Sequence, residues 1–209
     1  MKLQAPLLVF ARGARSGRRG LTFLELTVVM AISLVAVSIF STTVVATARQ
    51  RAIDRERSIA AEAARSAVER MRNENFLDVF ALYNADPDDD PGGPGTAPGH
   101  RIAVPGLRPL TSSQDGMIGE IIFPAVELDG VGGLPSTGPV AATNSWELRE
   151  DIEDPGLGMP RDLNGDLAID SANHADDYVM LPVLVRLEWN GATGDAQFRN
   201  YTMLIQFDS

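Results

Sequence analysis

The chain has 209 residues, no cysteine, 44% hydrophobic residues and a formal net charge of −10. That size and apolar content fit one packed domain plus an additional segment, and the lack of cysteine excludes disulfides, thiolate metal sites and cysteine nucleophiles. Residues 1–20 hold Lys2, Arg12, Arg15, Arg18 and Arg19 and no acid, which leaves 13 cations against 28 acids in the rest, a net −15; so acidic a surface disfavours nucleic acid.

The basic leader 1–20 is followed by a segment, 21–48, whose stretch from Leu26 to Ala46 carries no charge, proline or glycine. As a helix this stretch spans about 30 Å, the thickness of one bilayer core, and it predicts a transmembrane or assembly-core helix. Beyond it, 49–84 keeps helical character: Ile53, Ala60, Ala63, Ala67 and Met71 recur at helical spacing, and Arg65 with Glu69 and Arg70 with Glu74 stand four apart. The spacing predicts one helix running unbroken to about Leu82. Segment 85–101 contains DPDDDPGGPGTAPG, where proline, glycine and clustered aspartates rule out helix and predict a flexible linker.

The rest, 102–209, reads as a β-rich globular head. Up to Asp154 short apolar runs alternate with glycine and proline turns, and individual strands cannot be placed there. From Leu181 to Trp189 the alternation Leu181, Val183, Val185, Leu187, Trp189 predicts a strand with one buried face. Tyr201, Met203, Ile205 and Phe207 repeat the alternation, and the intervening NGATGD makes the pair an antiparallel hairpin over 178–207.

The junction of leader and helix is the most specific feature: basic residues, Gly20, Leu21, Thr22, Phe23, Leu24, Glu25, then the long apolar run. This order resembles the prepilin peptidase site of type IV pilins and type II secretion pseudopilins. The resemblance implies cleavage between Gly20 and Leu21, methylation of the new amine of Leu21, and a role for Glu25 in registering an incoming subunit during assembly. An ionised carboxylate in hydrocarbon costs about 2.5–3.5 kcal/mol on insertion scales and needs a partner; a free amine on Leu21, one helical turn away, supplies one. Two positions depart from the family pattern. Leu21 stands where phenylalanine or methionine is usual, and Thr42 where main subunits carry proline, which points to a minor subunit.

The resemblance further implies a pilin-like α+β fold, with a long N-terminal helix packed on a small antiparallel sheet that ends in the C-terminal hairpin. It implies an inner-membrane intermediate, single-pass with a periplasmic C-terminal domain, that later enters a periplasmic pseudopilus or a pilus. Its partners would be other pilin or pseudopilin subunits, the prepilin peptidase and an inner-membrane assembly platform. Two other readings of the N-terminus stay open. Ala46, Thr47 and Ala48 offer an A-x-A site for conventional signal cleavage, giving a secreted calcium-binding module, and an uncut chain would be a single-pass anchored binding protein.

In DLNGDLAID, residues Asp162, Asn164, Asp166 and Asp170 occupy the first, third, fifth and ninth places of an EF-hand-like calcium loop. Leu167 stands where glycine makes the sharp turn and Asn173 where a bidentate carboxylate is expected, with Asp176 or Asp177 as substitutes. Type II pseudopilins often order a C-terminal loop with calcium. The alternative is a solvated Asp/Asn/Gly turn, and Asp86, Asp88, Asp89 and Asp90 form a poorer site.

No catalytic constellation assembles. His100 and His174 are the only histidines and both read as solvated loop residues; Lys2 is the only lysine; Glu147, Glu150 and Asp151 read as chance neighbours in an acidic chain. The chain is read as a structural protein, not an enzyme.

Overall fold

The structure is a computed structural model that describes residues 22–113, 115–128 and 145–206. It divides into two units, Met1–Thr47 and Ala48–Ser209. Among the described residues, the helix of the first unit belongs to α1 (Phe23–Asn73), which continues into the second. A 3₁₀ turn (Phe76–Asp78) and a short α2 (Val79–Tyr83) follow. The strands are β1 (Arg101–Ile102), β2 (Gly119–Ile122), β3 (Ala125–Leu128), β4 (Ser145–Leu148), β5 (Met180–Gly191) and β6 (Gly194–Ile205). The class is α+β, with α1 packed on a small antiparallel sheet that ends in a hairpin, as the sequence predicts.

In the first unit nothing interrupts the helix, because the run from Leu26 to Ala46 contains no proline or glycine. Its start is fixed by a capping box: the Glu25 N–H donates to Thr22 Oγ1 at 3.3 Å, and the Thr22 N–H donates to Glu25 Oε2 at 3.4 Å. Two of the four orphan amides of the first turn are thereby satisfied.

In the second unit α1 buries Ala60, Ala64, Ala67, Val68 and Met71, a stripe at helical spacing whose small members allow close approach to the sheet. The helix ends at Asn73, not near Leu82 as its charge and alanine pattern predicts. Continued past Met71, the same face would present Asn75 and Asp78 to the core. The 3₁₀ turn resets the phase, so that Val79, Phe80 and Tyr83 point inward and are buried. Nor does Glu69 pair with Arg65; its recorded partner is Arg72, at 3.4 Å.

The main sheet has the order β1-β2-β5-β6, antiparallel throughout, and β3 and β4 form a separate antiparallel pair. On β5, Leu181, Val183, Val185, Leu187 and Trp189 are all buried, as the alternation predicts. For β6 the alternation read from Tyr201, Met203 and Ile205 lies in the wrong phase: Tyr201 and Ile205 are exposed and Leu204 is buried. Residues directly opposite in an antiparallel pair share a face. The register Leu181↔Leu204, Val183↔Thr202, Leu187↔Phe198 therefore forces the even-numbered residues of β6 inward. Phe207 lies outside the described residues.

The Asp/Pro/Gly stretch after α2, which composition reads as a loose linker, is braced by its own side chains. Asn84 Nδ2 donates to Asp89 at 2.6 Å, Asp86 accepts the Asp88 N–H at 2.9 Å and Asp90 the Ala97 N–H at 3.1 Å. Asp86 and Asp90 are buried.

Candidate functional site

Two places concentrate chemistry, one in each unit. The first is the N-terminal part of α1. Its most apolar stretch has no buried residue. The helix is long and apolar enough to cross a membrane. Phe23, Leu34 and Phe40 are among the large side chains left exposed. Five hydroxyls in or next to this run are turned back onto the helix's own carbonyls: Thr27 to Leu24, Ser41 to Val37, Thr42 and Thr43 to Ile39, Thr47 to Thr43, at 2.8–2.9 Å. These five donors are thereby paired within the helix, which suits a medium without water.

Glu25 is the only charged residue between Phe23 and Ala48. Its carboxylate curls back toward the chain start, to the amide of Thr22. Gly20 and Leu21, the expected cleavage and methylation positions, lie outside the described residues.

The second place lies where the end of β4 meets the long connection to β5. Glu150 follows β4, and the next connection is pinned to that strand twice: the His174 N–H donates to the Leu148 carbonyl at 2.9 Å, and Asn173 Oδ1 accepts the Leu148 N–H at 3.2 Å. Glu150, Asp170 and His174 each offer a ligand atom, and these lie within 4.8 Å of one another. Such a group can hold a metal ion. Glu150 and His174 are buried, while the Asp170 side chain is 53% exposed. His174 Nε2 lies 3.2 Å from Asp170 Oδ1 and 3.7 Å from Glu150 Oε2, and its Nδ1 lies 3.0 Å from Asp177 Oδ1.

Glu150 also organises the loop that follows. One of its oxygens accepts the N–H groups of Leu163 and, at 3.3 Å, Asn164; the other accepts that of Asp170 at 3.4 Å. Burial by itself would push the His174 imidazole down; Asp177, Asp170 and Glu150 outweigh it, and the net direction is up. The Asp170 carboxyl is held below its usual range by the Ala172 N–H and then by His174.

Of the four expected calcium ligands, only Asp170 joins this group. Asp162 accepts the N–H groups of Gly165 and Leu167 at 2.6 and 2.8 Å, Asn164 that of Asp166 at 3.1 Å, and Asp166 that of Ala168 at 2.8 Å. These side chains cap their own turns. Leu167, expected to obstruct the sharp turn, makes it with φ +71 and is almost fully exposed. Asn173 is spent on backbone amides, and Asp177 reaches both His174 and Asn164.

Sequence reasoning passed over Glu150 as a chance acid and His174 as solvated, yet both are buried at the centre of the group. A signal was present for His174, with carboxylates four residues before and three after it; for Glu150 there was none. No protein-family model matches the chain, and no curated protein or solved structure matches it significantly.

Proposed function

We propose that the chain is a prepilin-like filament subunit, a minor pseudopilin of a type II secretion system or a subunit of a type IV pilus-like filament. The leader 1–20 is removed after Gly20, Leu21 is methylated, and α1 passes from the inner membrane into a bundle of like helices formed with other subunits, its head lying in the periplasm. The observation that carries this reading is the bare apolar N-terminal part of α1, whose single acid, Glu25, is turned back to the residue next to Leu21. A helix leaves lipid only for a place where other helices cover it, and an ionised acid at its head requires a cation there.

The capping box supplies the competing explanation for Glu25, and a pair of substitutions separates the two. Glutamine also serves at the third helical position of a capping box, so Glu25→Gln keeps the cap and removes the charge. Thr22→Ala removes the cap and keeps the charge. Filament assembly lost in Glu25→Gln and retained in Thr22→Ala supports the proposal; the reverse pattern sinks it. Mass spectrometry of assembled material should find methylated Leu21 as the first residue, and an intact Met1 end in the filament contradicts processing.

A further inference from the structure

Both ring nitrogens of His174 face carboxylate oxygens, Nδ1 toward Asp177 and Nε2 toward Asp170 and Glu150. A neutral imidazole has one N–H and one lone pair. When Nδ1–H donates to Asp177, the Nε2 lone pair is left pointing at two acceptors, in a side chain only 5% exposed. Positive charge at Nε2 satisfies this arrangement, supplied either by a second ring proton that donates to Asp170 or by a metal ion held between the three groups.

The geometry around Nε2 fits a metal ion. Ligands about 2.0–2.1 Å from a tetrahedral ion stand roughly 3.3–3.4 Å apart, and the Nε2 separations from Asp170 Oδ1 and Glu150 Oε2 are 3.2 and 3.7 Å. Asp177 then plays the part that a carboxylate plays behind a metal-bound histidine, fixing the tautomer and the ring orientation. Backbone N–H groups hold Glu150 from the Leu163, Asn164 and Asp170 positions, so its free lone pairs are already aimed.

We infer that Glu150, Asp170 and His174 form a binding site for a borderline divalent transition ion such as zinc, oriented by Asp177, in place of the oxygen-only calcium loop that the spacing of Asp162, Asn164, Asp166 and Asp170 suggests. Calcium takes six to eight oxygen ligands, and the first three members of that set have their oxygens engaged in turns. A nitrogen with two carboxylates suits imidazole-accepting ions instead. The ion joins the segment just after β4 to the connection leading into β5. This inference does not depend on the filament reading.

The test uses the untagged full-length chain in detergent, since a polyhistidine tag would compete. Zinc is titrated calorimetrically, cobalt(II) is followed by its d–d absorption, and calcium is the competitor. The expected result is one zinc per chain, four-coordinate cobalt absorption, and no displacement by an equal concentration of calcium. His174→Ala should abolish saturable binding, Asp177→Asn should weaken it about 10- to 100-fold, and His100→Ala, at the chain's only other histidine, should leave it unchanged. Asp170→Asn, which keeps an oxygen for the Ala172 N–H, decides the matter if His174→Ala does not fold. Zinc binding that is absent, or that is equally tight in Asp170→Asn and His174→Ala, overturns the inference. So does calcium binding that excludes zinc.

Discussion

The hydroxyl of Tyr178 donates to the carbonyl of Phe76, 102 residues earlier in the chain, and accepts the N–H of Phe80 at 3.3 Å. It fills the place where α1 has ended and the 3₁₀ turn begins, with its ring 4.9 Å from that of Phe76. One side chain from the head thus satisfies two backbone groups left over by the change of helix phase. Tyr178→Phe keeps the ring and strands both groups, and should lower stability by about 1–3 kcal/mol, read as a shift in the denaturant midpoint.

The same phenol gives a pH dependence. Burial pushes Tyr178 up to about 12 in the folded chain, against about 10 when unfolded. Below pH 10 both states hold the proton and the contribution is complete. Between about pH 10 and about pH 12 the unfolded state releases its proton first, so stability falls as alkali is added. Tyr83, whose phenol burial also raises, acts in the same sense. Denaturation of Tyr178→Phe should show a shallower loss between about pH 10 and about pH 12 than the parent chain; equal slopes would refute the assignment.

Gly119 is held by crowding, not by backbone angle. A methyl group there would lie 2.9 Å from Ile102 Cβ and collide with the end of Leu187, its partners in β1 and β5. Gly119→Ala should therefore cost about 1–3 kcal/mol, measured by thermal unfolding. An unchanged midpoint in Gly119→Ala would deny the crowding, since Gly119 does not have the positive φ at which any side chain is strained.

Glu56 on α1 fastens the tip of the hairpin. Its Oε2 accepts the indole N–H of Trp189 at 3.3 Å and the Ala192 N–H at 3.2 Å. Glu56→Ala leaves the indole of the fully buried Trp189 unpartnered, and should cost about 1–3 kcal/mol. Hydrogen exchange at Ala192 should quicken. Unchanged protection there would show that the tip is held by β5–β6 pairing alone.

How legible the molecule is from sequence depends on whether a feature is local. The bare helix follows from an unbroken apolar run, and the inner face of β5 and the hairpin from a period of 2 written in adjacent residues. The phase of β6 does not, because its own residues alternate ambiguously and the pairing with β5 decides. The end of α1 at Asn73 depends on which face meets the core, and on Tyr178, far along the chain. The same holds for the second site. The spacing of Asp162, Asn164 and Asp166 is visible and leads to self-capped turns, whereas Glu150 and His174, separated by 23 intervening positions, are brought together by the end of β4.

Between Glu25 and Arg49 the helix carries no titratable side chain, a stretch of roughly 36 Å along its axis. In the membrane role proposed above, this would set its depth. A slip of one turn, roughly 5.4 Å, toward one end draws a guanidinium into the apolar layer, and a slip toward the other draws in a carboxylate. In a bilayer the two charges would act as stops on a sliding rod, and the sequence of the helix alone would then fix its axial position.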